Sequence, residues 1–363
     1  MRSHQLPDFP WDTLAPYGDR ARAHPDGIVD LSVGTPVDPV PQLAQHALVA
    51  AADSPGYPWT HGTRALRESA VGWLQRRLGV VDVAPDSILP LIGSKEFVAS
   101  VPSLLGLGPD DTVVVPSLAY PTYEVGARLA RAQVVVSDSL LSLGPAPVAV
   151  VWVNSPSNPT GRVLPAEHLR KVVGWARERG AIVISDECYV ELGWEAAPIS
   201  VLHPDVCGTS TDGVLAVHSL SKRSNLAGYR AGFVAGDPAL VASLLELRKH
   251  AGLMVPMPVQ AAMAAALDDD EHVVAQRARY RRRRELLRAA LTAAEFRIDH
   301  SEAGLYLWAT RGEPCWETVA WLADRAVLVA PGSFYGRAGA EHVRVALTAS
   351  DADVEVAAER LAG

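Results

Sequence analysis

Lysine is scarce in this chain of 363 residues: four stand at positions 95, 171, 222 and 249, among 33 basic residues. Arginine cannot condense with an aldehyde, so any covalent anchor for a carbonyl group is confined to those four. Cysteine is scarcer still. Cys188, Cys207 and Cys315 are odd in number and lack CxxC spacing, which excludes a disulfide framework or a zinc knot and fits a reducing cytoplasm. No run of about 18 apolar residues occurs, and Met1–Pro7 carry no apolar stretch of the secretory kind, so neither export nor membrane spanning is expected. A basic excess is missing as well: the net charge of -8 argues against nucleic acid as a partner. Neither GxGxxG nor GxxxxGK[ST] follows a strand-like run, which argues against a dinucleotide or P-loop nucleotide site.

Apolar residues at 48% and charged residues at 20% describe a globular chain, and its length predicts two domains. Residues 1–40, rich in Pro, Asp and Gly, read as an arm with a short strand at Gly27–Leu31. Gly34, just after it, is either a turn glycine or a point of close backbone approach to a ligand. Helical spacing covers Pro41–Ala52 and, after a Thr63 cap, Leu66, Ala70, Trp73, Leu74 and Leu78. Tyr57 lies in the loop before that cap, free for a site or a subunit contact. Trp59, Trp73, Trp152 and Trp308 are expected in the core.

Five apolar runs, Thr112–Val115, Gln133–Val136, Val148–Val153, Ala181–Ile184 and Val214–Val217, show no polar alternation, so each reads as a strand buried on both faces. Helical stretches such as Ala166–Arg179 separate several of them, which predicts a three-layer α/β/α arrangement around a mainly parallel sheet. Ligands of such sheets sit beyond the carboxyl ends of the strands. There the chain places Tyr120, Asn158, Asp186 with Tyr189, and the segment Ser219–Arg230. Gly93-Ser94-Lys95 opens a further helix, whose unpaired N–H groups suit an anion. A long helix from Glu271 to Ala294 and strands near Gly304–Trp308 and Val343–Leu347 complete a smaller α+β unit. Arg281–Arg284 on that helix reads as a solvated face.

Lys222 carries the chemistry. It follows the apolar run Val214–Val217, stands among the hydroxyls of Ser219, Ser221 and Ser224, and has Arg230 eight positions on. A lysine withdrawn from water and beside another cation can be neutral and nucleophilic near pH 7. Two serines and Arg230 could bind a phosphate through charge-assisted hydrogen bonds. An aldehyde-holding lysine, a phosphate clamp and a carboxylate for a ring nitrogen together suggest pyridoxal 5'-phosphate (PLP).

Asn158-Pro159-Thr160-Gly161, Asp186-x-x-Tyr189 and Ser219-x-Ser221-Lys222 with Arg230 resemble, in that order, the class I and II aminotransferases of PLP fold type I. The likeness runs from Gly34 to Arg344. Pro7–Asp12 and Asp30–Pro41 are further similar to the succinyldiaminopimelate transaminase branch, which serves lysine and cell-wall precursor synthesis. The resemblance implies that Lys222 is the covalent anchor and the proton-moving base, and that Asp186 binds the pyridine nitrogen. It implies that Asn158 and Tyr189 bind the ring oxygen and Tyr120 stacks on the ring. Ser94, Lys95, Ser219, Ser221, Arg230 and a partner subunit's tyrosine at position 57 would hold the phosphate, in a homodimer. Arg344 would hold the substrate α-carboxylate, with Gly34 and Asn158 beside it; the other reading of Arg344 is a salt bridge on a strand. Residues 41–269 would be the large PLP-binding domain and 270–363 the small C-terminal one, joined by part of 1–40. The implied activity is amino transfer between L-glutamate and a keto acid; a PLP lyase acting at Cβ is the alternative. For the distal end of a long substrate, Arg64, Arg337 and Arg20 stay open. Lys95 departs from the small or polar residues usual at its place.

Overall fold

Buried strands without polar alternation need cover on both faces, and the chain supplies it with helices. The computed structural model describes residues 6, 7 and 9–362; Met1–Gln5 and Asp8 of the expected arm, and Gly363, lie outside the described residues. Seven strands form one sheet in the order Ile88–Ile92, Ala231–Gly236, Val214–Ser219, Ile182–Asp186, Val150–Asn154, Thr112–Val115, Gln133–Val136. All run parallel except Ala231–Gly236, which is antiparallel to both of its neighbours. Val151, Val153, Val183 and Ala216 face a core closed by the helices Arg64–Leu78, Ala166–Arg179 and Met257–Asp268. Trp152, Ile184, Leu215 and Val217 face the opposite core, closed by Ser94–Leu104, Thr122–Leu129 and Pro238–Ala251. The side-chain period of two thus divides each strand between two helical layers.

A second sheet of four antiparallel strands, Ala330–Pro331, Val343–Ala346, Tyr306–Thr310 and Arg297–Asp299, packs on the helices Glu271–Ala293 and Asp351–Ala362. Val29–Asp30 pairs with Val327–Leu328, which brings the N-terminal segment onto this part of the molecule.

Local rules hold at the helix ends. Thr63 caps Arg64–Leu78, its hydroxyl accepting from the Leu66 N–H at 3.2 Å, and Gly79 ends that helix in the left-handed conformation. Three expectations are corrected. Gln133–Val136 is an edge strand and Val136 is exposed, because nothing pairs beyond it. Trp59 is 68% exposed, since it lies in the loop before the Thr63 cap and not on a helix face; Trp73, Trp152 and Trp308 are buried. Arg281 and Arg282 face solvent, but Arg283 and Arg284 are buried.

The helical period explains the last correction, since consecutive residues point about 100° apart. Arg283 turns inward to make two hydrogen bonds to Asp38, at 2.8 and 2.7 Å, and one to Asp351 at 2.5 Å. Arg284 donates to Glu195 and to the Ser301 carbonyl, each at 2.8 Å. One crossover is also unusual. Residues 137–149 join two parallel strands with only a short 3-10 turn, Leu140–Leu143, where a helix would be ordinary. A groove of about 740 Å³ is left against Leu164, Val172 and Trp175.

The Asp38–Arg283 pair ties the N-terminal segment to the long helix. Burial opposes the Asp38 charge, but hydrogen bonds from Arg283 and Gln276 hold its pKa below the usual 3.8. Its stabilising effect is therefore present above that pH and lost as acid protonates the folded state. Asp38→Ala should lower stability to urea by about 1.5–3 kcal/mol, the worth of charged hydrogen bonds lost while Asp351 still faces Arg283. It should also flatten the acid side of the stability curve, and an unchanged curve would contradict the pairing.

Candidate active site

Strand register sets the site. Asn154 pairs with Asp186 and Asp186 with Val217, so two neighbouring strands end at one level, the third runs on to Ser219, and the loops that follow them lie side by side. The Asn154 amide donates to the Asp186 carbonyl at 2.9 Å and to the Pro156 carbonyl at 3.1 Å, while its oxygen accepts from the Asn158 N–H at 2.7 Å. This one amide fixes the loop that carries Asn158.

Lys222 lies in a single helical turn, Leu220–Arg223, capped by Ser219, whose hydroxyl accepts from the Ser221 N–H at 3.2 Å. Its ammonium donates to the Gly34 carbonyl. Burial pushes the Lys222 pKa down; the Arg344 and Arg230 charges act in the same sense, and Tyr306 and Cys188 oppose them. That is the direction a nucleophilic amine needs.

Gly93 is held at φ +73°, and a Cβ there would sit 2.2 Å from Arg230 Nη2. Only glycine lets the guanidinium lie against this turn. The helix Ser94–Leu104 starts at the same point, with its first N–H groups free of intrahelical partners. Ser94 Oγ accepts from the Cys188 thiol at 3.4 Å. Among the described residues the guanidinium of Arg230, itself at φ +56°, donates only to the Ala227 carbonyl, at 3.0 Å. A cation, a hydroxyl and a helix N-terminus meet there, which suits a phosphate.

Asp186 is 7% exposed. Tyr123 donates to Oδ2 at 2.8 Å and the Cys188 N–H to Oδ1 at 3.2 Å, and among the described residues it has no ion-pair partner. Burial raises its pKa, opposed by those hydrogen bonds. Such a carboxylate is built to receive a cationic donor from outside the chain. Tyr120 stands edge-on to Tyr123, at 5.9 Å between ring centres, and Tyr123 stacks on Trp152 at 4.5 Å.

Arg344 is the counterpart. It is 3% exposed, donates to Asn158 Oδ1 at 2.9 Å and to the Ser32 carbonyl at 2.7 Å, and has no carboxylate partner among the described residues. Its Nε has no hydrogen-bond partner among the described residues. The guanidinium lies 3.9 Å from the centre of the Tyr306 ring and 5.0 Å from that of Tyr335. Tyr306 and Tyr189 share a hydrogen bond of 3.1 Å between hydroxyls. A Cβ on Gly34 would come within 2.2 Å of the Tyr306 hydroxyl, so it is a side chain of the chain itself that requires glycine there.

Lys222, Gly34, Asn158, Asp186, Tyr189, Arg344, Ser94 and Arg230 are thereby linked around one place, and Tyr120 joins them as an electrostatic neighbour of Asp186. Ser219 holds the turn below. Tyr57 does not join within this chain; it is 93% exposed. Lys95 is exposed and stands 5.6 Å from the Phe9 ring centre. Sequence reasoning missed Tyr123, Cys188, Tyr306 and Tyr335. Tyr123 follows Tyr120 by three positions at a helix start, a spacing that puts both on one face. Nothing in linear order marks Tyr306 and Tyr335.

The residues present fit PLP: an amine with a lowered pKa, an unpaired buried carboxylate, an anion corner and an aromatic neighbour. The family model for aminotransferase class I and II matches residues 26–361. Over 359 residues the chain is 64% identical to a probable aminotransferase of Mycobacterium tuberculosis, covering 99% of this chain and 86% of that one. It is 60% identical to the 4-dedimethylamino-4-oxo-anhydrotetracycline transaminase OxyQ of Streptomyces rimosus, over 98% and 99%. An LL-diaminopimelate aminotransferase of Dehalococcoides mccartyi shares 31%, over 100% and 97%. Among solved structures, an aminotransferase of Neisseria meningitidis superposes with TM-score 0.90 at 30% identity, over 99% of both chains. A probable N-succinyldiaminopimelate aminotransferase of Thermus thermophilus does so with TM-score 0.87 at 29%, over 98% and 99%. With its fold, its site and its sequence in agreement, the chain belongs to the class I and II aminotransferases, PLP-dependent enzymes of fold type I.

Proposed function

We propose that the chain moves an amino group between L-glutamate and a keto acid, with N-succinyl-LL-2,6-diaminopimelate and its keto form as the second pair. The carrying observation is that two buried ionisable groups of the site that holds Lys222, Asp186 and Arg344, have no ion-pair partner among the described residues. When bound, PLP supplies an electron-poor ring that takes up the electron pair released as the substrate's α-proton leaves. Asp186 holds the ring nitrogen protonated, and Tyr123 keeps that carboxylate aimed. Lys222 would hold the cofactor's aldehyde and, freed when the substrate's amine takes its place there, would carry the proton from the substrate's Cα. Asn158 and Tyr189 hold the ring oxygen, and Tyr306 orients the Tyr189 hydroxyl. Arg344 grips the α-carboxylate common to both substrates in a bidentate fork. Ser94, Lys95, Ser219, Ser221 and Arg230 bind the phosphate, with a tyrosine at 57 reaching in from the other subunit of a homodimer. In the same proposal residues 41–269 form the cofactor-holding domain, 270–363 with part of 1–40 form the smaller one, and the enzyme works in the cytoplasm.

The Thermus neighbour and the diaminopimelate relatives support the choice of a long acidic substrate. Of the three cations considered for its far end, Arg64 is paired with Glu68 and Arg20 with Asp324. Arg337 forms no ion pair among the described residues and follows Tyr335, whose carbonyl accepts from the Ala119 N–H at 2.9 Å, next to Tyr120. Arg337 is therefore our candidate for the distal carboxylate. The 60% identity to OxyQ favours a second reading, a bulkier ketone as acceptor.

A donor panel with purified holoenzyme and 2-oxoglutarate, including N-succinyl-LL-diaminopimelate and LL-diaminopimelate, tests the assignment. The succinylated donor should give the highest kcat/KM, and Arg337→Ala should lower it on that donor with little change for glutamate. Turnover confined to other donors would reject the substrate. Asp186→Asn should leave PLP bound yet cut kcat on the order of 100-fold or more, as when an electrostatic partner of the transition state is removed. Gly34→Ala should displace the Tyr306 hydroxyl. Its effect on kcat should shrink in a Tyr306→Phe background, whereas strictly additive effects would show that the two positions do not touch.

A further inference from the structure

Behind the site lies a second cluster that the roles above leave unused. Glu187 follows Asp186 and points to the other side of the strand, where it meets His218, the residue before Ser219. Glu187 is 1% exposed and His218 is 2% exposed. Glu187 Oε1 is satisfied, accepting from the Ser185 hydroxyl at 2.9 Å and the Val201 N–H at 2.7 Å. Among the described residues its other oxygen has no hydrogen-bond partner, nor has either ring nitrogen of His218, nor Nη2 of the buried Arg223. All three side chains line one small pocket with room of about 10 Å³.

The geometry does not let them satisfy each other. His218 Nε2 and Glu187 Oε2 are 3.8 Å apart, beyond hydrogen-bond reach. The imidazole cannot swing to close the gap, since Trp73 meets it edge-on at 5.0 Å and Phe233 lies at 5.0 Å as well. Nor are they an ion pair: burial, and then the Arg223 charge, push the His218 pKa down to about 3, and burial pushes that of Glu187 up to about 7. An uncharged ring faces a carboxyl that is largely uncharged in mild acid, with a guanidinium N–H beside them. Leaving such atoms dry is unfavourable, and the space is that of one water, whose donors and acceptors can serve Glu187 Oε2, one ring nitrogen of His218 and Arg223 Nη2.

We propose that this cavity holds one ordered water molecule bridging Glu187, His218 and Arg223, and that the bridge positions the strand ends carrying Asp186 and Lys222. The bridge supplements the backbone bond from the Glu187 N–H to the Val217 carbonyl, 2.9 Å, in joining these two strands. Glu187 and His218 are positioning residues, not catalytic ones. The second half of the proposal rests on the roles given above to Asp186 and Lys222; the first half does not.

A crystal structure of the holoenzyme without substrate, with Glu187→Gln and Glu187→Leu beside it, provides the test. Density for one water within reach of Glu187 and His218 is expected in the wild type and in Glu187→Gln, whose amide can still hold it. An empty cavity, or a direct contact between Glu187 and His218, would overturn the site. In Glu187→Leu the water should be gone. With the best donor of the panel, kcat should fall on the order of tenfold, the effect of a slightly misplaced reacting group, while KM changes little and Glu187→Gln restores the rate. Wild-type kcat in Glu187→Leu would overturn the positioning role. The wild-type density is read without turnover, so it stands whether Glu187→Leu folds or not. An inactive protein that holds the water would count against the functional reading alone.

Discussion

Keeping charges buried and unpaired is the constraint on which this structure turns. An isolated carboxylate or guanidinium taken out of water is costly unless hydrogen bonds replace the lost hydration. Asp186 receives Tyr123 and the Cys188 N–H; Arg344 rests on Asn158, the Ser32 carbonyl and two tyrosine rings. Neither arrangement neutralises the charge. The fold therefore keeps a buried carboxyl and a buried guanidinium without ion-pair partners among the described residues, in the site that also holds a lysine of lowered pKa, and the proposed function assigns these two to cofactor and substrate. Stability given up at this place is what makes the place reactive.

The N-terminal segment is the second element of the design. Ser32 supports Arg344, Gly34 supports Lys222, and Asp38 anchors the segment to Arg283 on the long helix. Asn225, three residues past Lys222, also donates to the Pro39 carbonyl at 3.2 Å. One stretch of chain thus touches the amine, the carboxylate-binding cation and the smaller sheet. A change in any of these contacts is felt by the others, which is why a single glycine at 34 and a single carboxylate at 38 matter.

Much of this was legible in the sequence, because strand ends and helix starts obey local rules. The run Val214–Val217 followed by a hydroxyl-rich turn placed Lys222, and the Thr63 cap fixed the start of its helix. The correction at Gln133–Val136 has a physical cause: a strand's place in the sheet depends on what pairs beside it, and a four-residue run carries no record of that. Arg283 and Arg284 misled for a similar reason, since a block of like charges reads as solvated until its partners Asp38 and Glu195, far away in sequence, are brought to it. Tyr306 and Tyr335 became visible only once the smaller sheet had placed them around Arg344. The left-handed backbone at Asn225 and Arg230 belongs to the same class, being dictated by the turn they close.

The central claim is that the amine at position 222, and no other, holds the aldehyde. Borohydride reduction of the purified yellow protein, followed by peptide mapping, reads this directly. The account predicts one pyridoxyl modification, on the peptide containing Lys222. A tag on Lys95, Lys171 or Lys249, or no tag on a protein that nonetheless turns over, would contradict it.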